Sequence, residues 1–437
     1  MSRQSSTMVP AWKWGLVIMM LLATLINYMD RQALGSVASY IKADFGLDEE
    51  GYGKLEAIFG YSYAIFLLIA GYLADRIALQ WLYLAALLVW SSAGLATGFV
   101  ETLFQLQLCR AILGAAESFN WPVAVGIVGR VMPRESQAFA NGVFNSGMTM
   151  GAVLTPVVVL LLVGPNGENW RHVFFAVGAA GLVWAVFWFF FTRGPRAIEI
   201  SARSTQTPGQ VPATLFLKVF RLRNFWIACV IGVTINMSWH FYRVWLPRHL
   251  VVDLRYSDQQ LQYILIAFYL AGDIGSIVVG FLVRTTIRAG RSVERAQTRG
   301  LVISALVCLA ATPIVFSPNR TIMVALYCLV GAGIMGGFTI FYAVVQSISS
   351  RHTSKCVALI GASAWLINSR LHPWVGRFAD SHELVIGKFA PMILVAGVLP
   401  MIAAAIALIW PCQPASAPLT SIGPLSPPGD QQSRQAW

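Results

Sequence analysis

The sequence predicts an all-α integral membrane protein of twelve transmembrane helices arranged in two pseudo-symmetric six-helix halves. Three observations carry this expectation. Hydrophobic types fill 57% of the 437 residues and charged types only 11%, whereas a soluble domain carries about a quarter charged residues. The apolar residues gather into runs near the length of about 20 residues that a helix needs to cross a bilayer. One long polar interruption, 193–221, divides those runs six and six.

Taken in order, the spans are read at 13–40, 52–74, 80–99, 102–131, 136–163, 170–192, 222–250, 259–283, 299–316, 321–347, 356–378 and 388–410. The first begins near Trp14 and is long enough to span, so it is expected to stay in place rather than be cleaved as a signal peptide. The stretch 193–221 holds Arg193, Arg196, Arg203, Lys218 and Arg221 with Pro195, Pro208 and Pro212, a linker composition. The expected organisation is an N-terminal half over 1–192, a linker over 193–221, a C-terminal half over 222–411 and a Pro-, Ser- and Gln-rich tail over 412–437, read as disordered.

Orientation follows from the basic residues in the loops. With both termini on one side, that side holds 19 of the 31 Lys and Arg and the other holds 8, while Arg31, Arg110, Arg243 and Arg370 fall within spans. The acidic residues run the opposite way, with Asp44, Asp48, Glu49, Glu50 and Glu56 in one stretch. Both termini and the linker are therefore expected in the cytoplasm, and the chain in a bacterial inner membrane.

The same distribution narrows function. The net charge of +12 is spread between apolar runs, which is a topology signal and not a nucleic-acid surface. Five of the six cysteines lie inside apolar segments and none forms a CxxC pair, so neither disulfides nor metal sites are expected. No nucleophile elbow, phosphate-binding loop or His/Asp cluster marks an enzyme, and no cofactor is expected. The halves echo each other weakly: Gly71-Tyr-Leu-Ala-Asp75-Arg76 against Gly280-Phe-Leu-Val-Arg284, and Gly147-x-x-x-Gly151 before Pro156 against Gly361 and Ala364 before Pro373. Two related halves about a linker describe a transporter whose site lies between them.

An ionisable side chain within a span costs several kcal/mol unless it faces a cavity or a partner. Seven are read here: Asp30, Arg31, Arg110, Glu117, Arg243, Asp273 and Arg370. Asn27 and Tyr28 lie one turn before Arg31, which gives the first span a polar face. Arg110 and Glu117 are seven residues apart, so they point the same way about 10 Å apart along the axis. Two arginines at one depth suit an anion; carboxyls at different depths suit a proton relay. The competing reading for the group is a buried ion-pair network such as Asp30 with Arg110. Arg243 reads either as a ligand or as a residue snorkelling to the outer surface. Asp273, in Ala-Gly-Asp-Ile-Gly-Ser, reads either as functional or as bonded to a neighbouring helix. Trp121, Trp239 and Trp365 sit beside these charges; His240 and His372 read as packing residues.

Gly71-x-x-x-Asp75-Arg76 resembles the loop signature of the major facilitator superfamily, although Ile77-Ala78-Leu79-Gln80 replaces its usual continuation. Asn27-Tyr28-Met29-Asp30-Arg31, Arg110-Ala-Ile-Leu-Gly-Ala-Ala-Glu117-Ser-Phe-Asn120-Trp121-Pro122 and Phe144-Asn145-Ser146-Gly147 resemble the anion:cation symporter family within it. Trp239-His-Phe-Tyr-Arg-Val-Trp245-Leu-Pro247, Asp273 and Ser292-Val-Glu-Arg-Ala296 are similar to its sugar-acid, especially hexuronate, branch. The resemblance implies the major facilitator fold and proton-driven alternating-access symport of an organic anion. It implies that Arg31 binds the substrate carboxylate, that Asp30 and Glu117 carry protons, and that Arg110 tunes them. Tyr28 and Tyr63 match positions that line the sugar-acid site, and Asn145, Trp239 and Trp365 join Arg110 as substrate-binding candidates. Asn27, Asn236, Arg243 and Asp273 are secondary candidates. Asp75 and Arg76 would gate the conformational change. Met148 and Gly232 stand where relatives place polar side chains, and Arg370 is an added cation in a helix that normally touches substrate.

The expected partners are a small organic anion, protons and the lipid bilayer, with a single chain as the working unit. Two other readings compete: an uncoupled organic-anion exchanger or exporter, and a membrane sensor built on a transporter scaffold.

Overall fold

The computed structural model describes residues 9–74, 76–164, 167–201, 220, 223–314, 319–348, 353–382, 384 and 387–410. Most of the predicted linker and the whole of the predicted tail, with Cys412, lie outside the described residues. Among the described residues the chain is helical throughout and carries no strand. In order, the helices are α1 (Ala11–Ser36), α2 (Ala38–Phe45), α3 (Glu49–Ala74), α4 (Leu79–Thr97), α5 (Leu103–Glu117), α6 (Asn120–Val131), α7 (Arg134–Leu162), α8 (Trp170–Phe191), α9 (Pro195–Ser201), α10 (Arg223–Arg248), α11 (Asp258–Arg288), α12 (Val293–Cys308), α13 (Ala311–Ile314), α14 (Arg320–Ile348), α15 (Thr353–Ser381) and α16 (Ala390–Ile409).

Among the described residues, eleven segments are long and apolar enough to cross a membrane. The predicted eleventh span is the exception. Its helix, α15, has 29 residues, but it spends Ser363, Asn368, Ser369 and His372 on its length, and its polarity keeps it below that threshold. It packs along α3 instead of facing lipid all round. The predicted fourth span crosses as one segment, Leu103–Val131, with a local interruption at Ser118 and Phe119. Pro122, third in α6, has no N–H for the Ser118 carbonyl, so the helix stops at Glu117 and restarts at Asn120. The seventh span ends in a π-helical turn over His249–Asp253, just after Pro247.

Two hydrophobic cores form, one mainly from α1 to α8 and one mainly from α10 to α16. Inside the first group, Gly147 and Gly151 let α7 press on α1, where a β-carbon would collide with the Leu21 and Leu25 carbonyls. The groups meet through α3 against α15 and through α7 against α11. A third, smaller core of Phe59, Tyr63, Leu67, Leu113 and Trp365 fills the first of these seams.

Helices alternate in direction, so the loops after α2, α4, α7, α10, α13 and α15 share one end, called here the far end, opposite the N-terminus. There a polar clasp joins the groups. Asp380 of α15 accepts from the backbone N–H groups of Glu49 and Glu50 at 3.2 and 2.9 Å, capping α3 from the other group. Arg377 donates to Glu50 at 2.8 and 3.0 Å. Arg248 donates to Glu49 at 2.5–3.2 Å and to Ser39 at 3.2 Å, and Lys42 also pairs with Glu49. Burial and the adjacent Arg248 hold the Lys42 ammonium below the usual lysine range, with Glu49 opposing them.

The α3–α15 seam is tight at this end and loosens toward the other. A β-carbon on Gly53 would stand 2.5 Å from the His372 carbonyl oxygen and 3.0 Å from Pro373 Cα, whereas one on Gly361 would meet only the Leu67 side chain at 3.7 Å. The described conformation is therefore shut at the far end. Gly53→Val should wedge it open. A cysteine at Ala57, buried here, should then be alkylated from the far side about tenfold faster, the shift expected when roughly 1.4 kcal/mol is removed from the closed state. An unchanged labelling rate would show that the α3–α15 contact does not hold this end shut.

Candidate functional site

Deeper in the seam than the clasp lies a cluster of buried charges. Arg31, in the last turns of α1, turns its guanidinium toward α5. Its Nη2 and Nε donate to Glu117 Oε2 at 2.8 and 3.1 Å, and Nη2 also lies 3.4 Å from Asn27 Oδ1. Aromatic rings enclose the rest of it: Tyr28 at 4.8 Å, Tyr63 at 4.9 Å, and Phe59 and Trp365 at 5.5 Å. Trp365 comes from α15, so the cage closes only when both groups contribute. Its ring packs 4.7 Å from Tyr63 and 4.0 Å from His240. A guanidinium over ring faces and bonded to one carboxylate is an arrangement ready to exchange one anion for another.

Asp30, the residue before Arg31, points the other way, into the space left by Gly94 of α4. Both of its oxygens are buried without a hydrogen-bond partner. An ionised carboxylate there would be an uncompensated buried charge, which costs several kcal/mol. Glu117 likewise has one free oxygen, Oε1.

Arg110 does not pair with Asp30. Its nearest acid is Glu56 at 3.5 Å, which also accepts from Arg243 at 2.7 Å. Glu56 is a buried member of this charged cluster that sequence reasoning missed. It was grouped with the acidic far-end loop, yet it sits a full turn inside the second span. The available signal was its place between Gly53 and Gly60, three and four residues away, on the face where α3 meets α15. Arg243 faces inward and does not snorkel. His240 also belongs here: its Nδ1 is buried without a partner.

The other expected residues fall into three places. Tyr28, Trp239 and Asp273 line a small cleft with Met148, Thr149, Ala152, Tyr269 and Met335, where the two groups face each other on the side away from the clasp. Thr149 and Asp273 face each other across this cleft, one from each group. Asn145 accepts from Trp121 Nε1 at 3.3 Å, and Trp121 stacks on Tyr342 of the other group at 6.1 Å. Two residues stand apart. Asn236 turns its amide back to the Gly232 carbonyl at 2.6 Å. Arg370 is exposed, on the helix face it shares with Leu366, Ile367 and Trp374, and not in the charged cluster. Arg76 is exposed over Tyr72 at 4.0 Å; Asp75 lies outside the described residues. No group of His, Cys, Asp and Glu among the described residues could hold a metal.

A sequence model of the Major Facilitator Superfamily matches residues 20–367. The hexuronate transporter of Escherichia coli K12 is 21% identical over 91% of this chain and 93% of its own. A probable sulfoacetate transporter, SauU, of Cupriavidus necator is 28% identical over 60% of this chain and 63% of its own, less than two thirds of that relative's length. Among solved structures, the chain is similar to a bacterial homolog of the human lysosomal transporter Spinster in an inward-facing, occupied conformation, with a TM-score of 0.71 at 18% identity over 92% of this chain and 97% of that one.

Proposed function

This chain belongs to the Major Facilitator Superfamily, and on that premise we propose that it is a proton-coupled symporter of a sugar acid working by alternating access. One observation carries the reading: a guanidinium, Arg31, sits in an aromatic cage at the seam, held by the carboxylate of Glu117 and the amide oxygen of Asn27, while a second carboxyl, Asp30, lies next to it in sequence with no hydrogen-bond partner. A substrate carboxylate takes the place of Glu117 on Arg31. The aromatic rings offer their faces to the apolar side of a sugar chain, as tyrosines and tryptophans commonly do for amphipathic ligands. Glu117, released from Arg31 inside an apolar wall, takes up a proton, so that anion and proton travel together. Relatives named for hexuronate and sulfoacetate support a small carboxylate- or sulfonate-bearing substrate.

Uptake and counterflow in proteoliposomes, with a panel of labelled sugar acids, test the assignment. Saturable counterflow of at least one hexuronate or aldonate is expected; none across the panel would remove the sugar-acid reading. Counterflow without proton-driven accumulation would favour an uncoupled exchanger.

The basic loops support termini and a 193–221 linker in the cytoplasm of a bacterial cell; in that orientation the clasped far end faces outward and Arg76 stands at the end that must close when it opens. A periplasmic phosphatase reporter fused after Gln210 should be inactive and one fused after Asp48 active. The reverse pattern would invert the orientation.

A further inference from the structure

The pairing around Glu56 has no role in the scheme above. Its side chain is fully buried, and it joins Arg110 of its own helix group to Arg243 of the other. The two guanidiniums offer far more donors than one carboxylate accepts. Arg110 Nε and Nη2 and Arg243 Nε are all buried with no hydrogen-bond partner. Opening the far end must pull Arg243 away from Glu56, since they lie on α10 and α3. Separating a buried ion pair leaves uncompensated charge on both sides and is strongly unfavourable unless another ion arrives. The pair also lies close to Arg31. The Phe59 ring has the Arg110 guanidinium at 4.5 Å and that of Arg31 at 5.5 Å, within the reach of one six-carbon chain bearing a carboxylate at each end.

We infer that Arg110 and Arg243 form a second anion subsite, in which Glu56 is a resident carboxylate displaced by the second carboxylate of a dicarboxylate sugar acid. The ligand named here rests on the sugar-acid reading; the subsite itself does not. Arg370, the added cation of α15 and a substrate-binding candidate from the sequence, faces outward and stands outside this cluster.

Two measurements on the purified full chain test it. Glu56→Ala removes the resident carboxylate and leaves room for a small one. Acetate should stabilise this variant saturably against heat, by mass action on the native state. It should do so neither for the wild type nor for Glu56→Ala combined with Arg243→Gln. Equal effects of acetate on all three would overturn the subsite. Glu56→Gln keeps the shape and removes the charge, so it serves where the alanine variant does not fold. Galactarate and galactonate differ only in a second terminal carboxylate. The preference of Glu56→Gln for galactarate over galactonate should exceed that of the wild type by about tenfold, the scale of one buried charge pair. Parallel changes in both affinities would overturn the displacement. If the wild type binds neither acid, the sugar-acid reading fails, and the acetate series still decides the subsite.

Discussion

Arg31→Lys is expected to lower transport by about 100-fold while the protein still folds and inserts, a loss on the scale of about 3 kcal/mol for breaking a buried, hydrogen-bonded charge pair. The geometry explains why a conserved charge is not enough. Arg31 presents two N–H groups to one carboxylate oxygen and its flat face to Tyr28, Tyr63, Phe59 and Trp365. A lysine ammonium is a compact point charge that cannot offer the planar fork or stack in the same way. It can still neutralise Glu117, so the buried site keeps its charge balance and the fold should survive. Arg31→Ala goes further and leaves Glu117 without its partner, so it should lose both transport and several degrees of thermal stability. Initial uptake rates in proteoliposomes, set beside melting temperature and ligand affinity of each purified variant, separate the two effects. Wild-type affinity in a folded Arg31→Ala would remove Arg31 as the ligand of the substrate carboxylate.

What the sequence could reveal follows from the physics of the bilayer. Lipid demands long apolar helices and makes every buried charge conspicuous, so most of the spans, and the burial of Asp30, Arg31, Arg110 and Glu117 inside them, were legible from one chain. Pairing was not. Whether Arg110 meets Asp30 or Glu56 depends on how α3 and α5 rotate about their axes, and the residue list carries no such angle. Glu56 was hidden by arithmetic: counted with four other acids of that stretch, it looked like surface charge, although it lies about two turns inside α3. Arg370 shows the converse error. Residence in a span suggested a ligand, but α15 has an outer face as well as an inner one, and Arg370 takes the outer face with Leu366, Ile367 and Trp374. The break at Ser118 and Phe119 was signalled by Pro122, and the motif reading passed over its structural meaning.

Glu117→Gln is expected to keep exchange and lose accumulation. In the described state Glu117 Oε2 accepts both Arg31 N–H groups and Oε1 accepts none. A glutamine carbonyl can take the Oε2 position, so the cage around Arg31 should keep its shape. The amide carries no charge and cannot bind or release a proton, so it imitates the protonated carboxyl in every step. A substrate anion would then meet an Arg31 with no competing carboxylate, and binding should be equal to or tighter than in the wild type. Loaded carriers should still interconvert, giving counterflow at uniform pH. Under an imposed pH gradient of one unit, each coupled proton supports about tenfold accumulation, because one pH unit is worth about 1.4 kcal/mol. The variant should fall to an internal-to-external ratio of about one. Asp30→Asn should share the accumulation defect, since it fixes the other unpartnered carboxyl in its neutral form. The comparison of interest is labelled sugar-acid accumulation under the gradient beside exchange without it, in the same proteoliposome preparation. If Glu117→Gln accumulates like the wild type, protons are not carried at Glu117. If the wild type itself shows exchange but no gradient-driven accumulation, the pair of Arg31 and Glu117 serves an exchanger, in which one anion must arrive before another can leave.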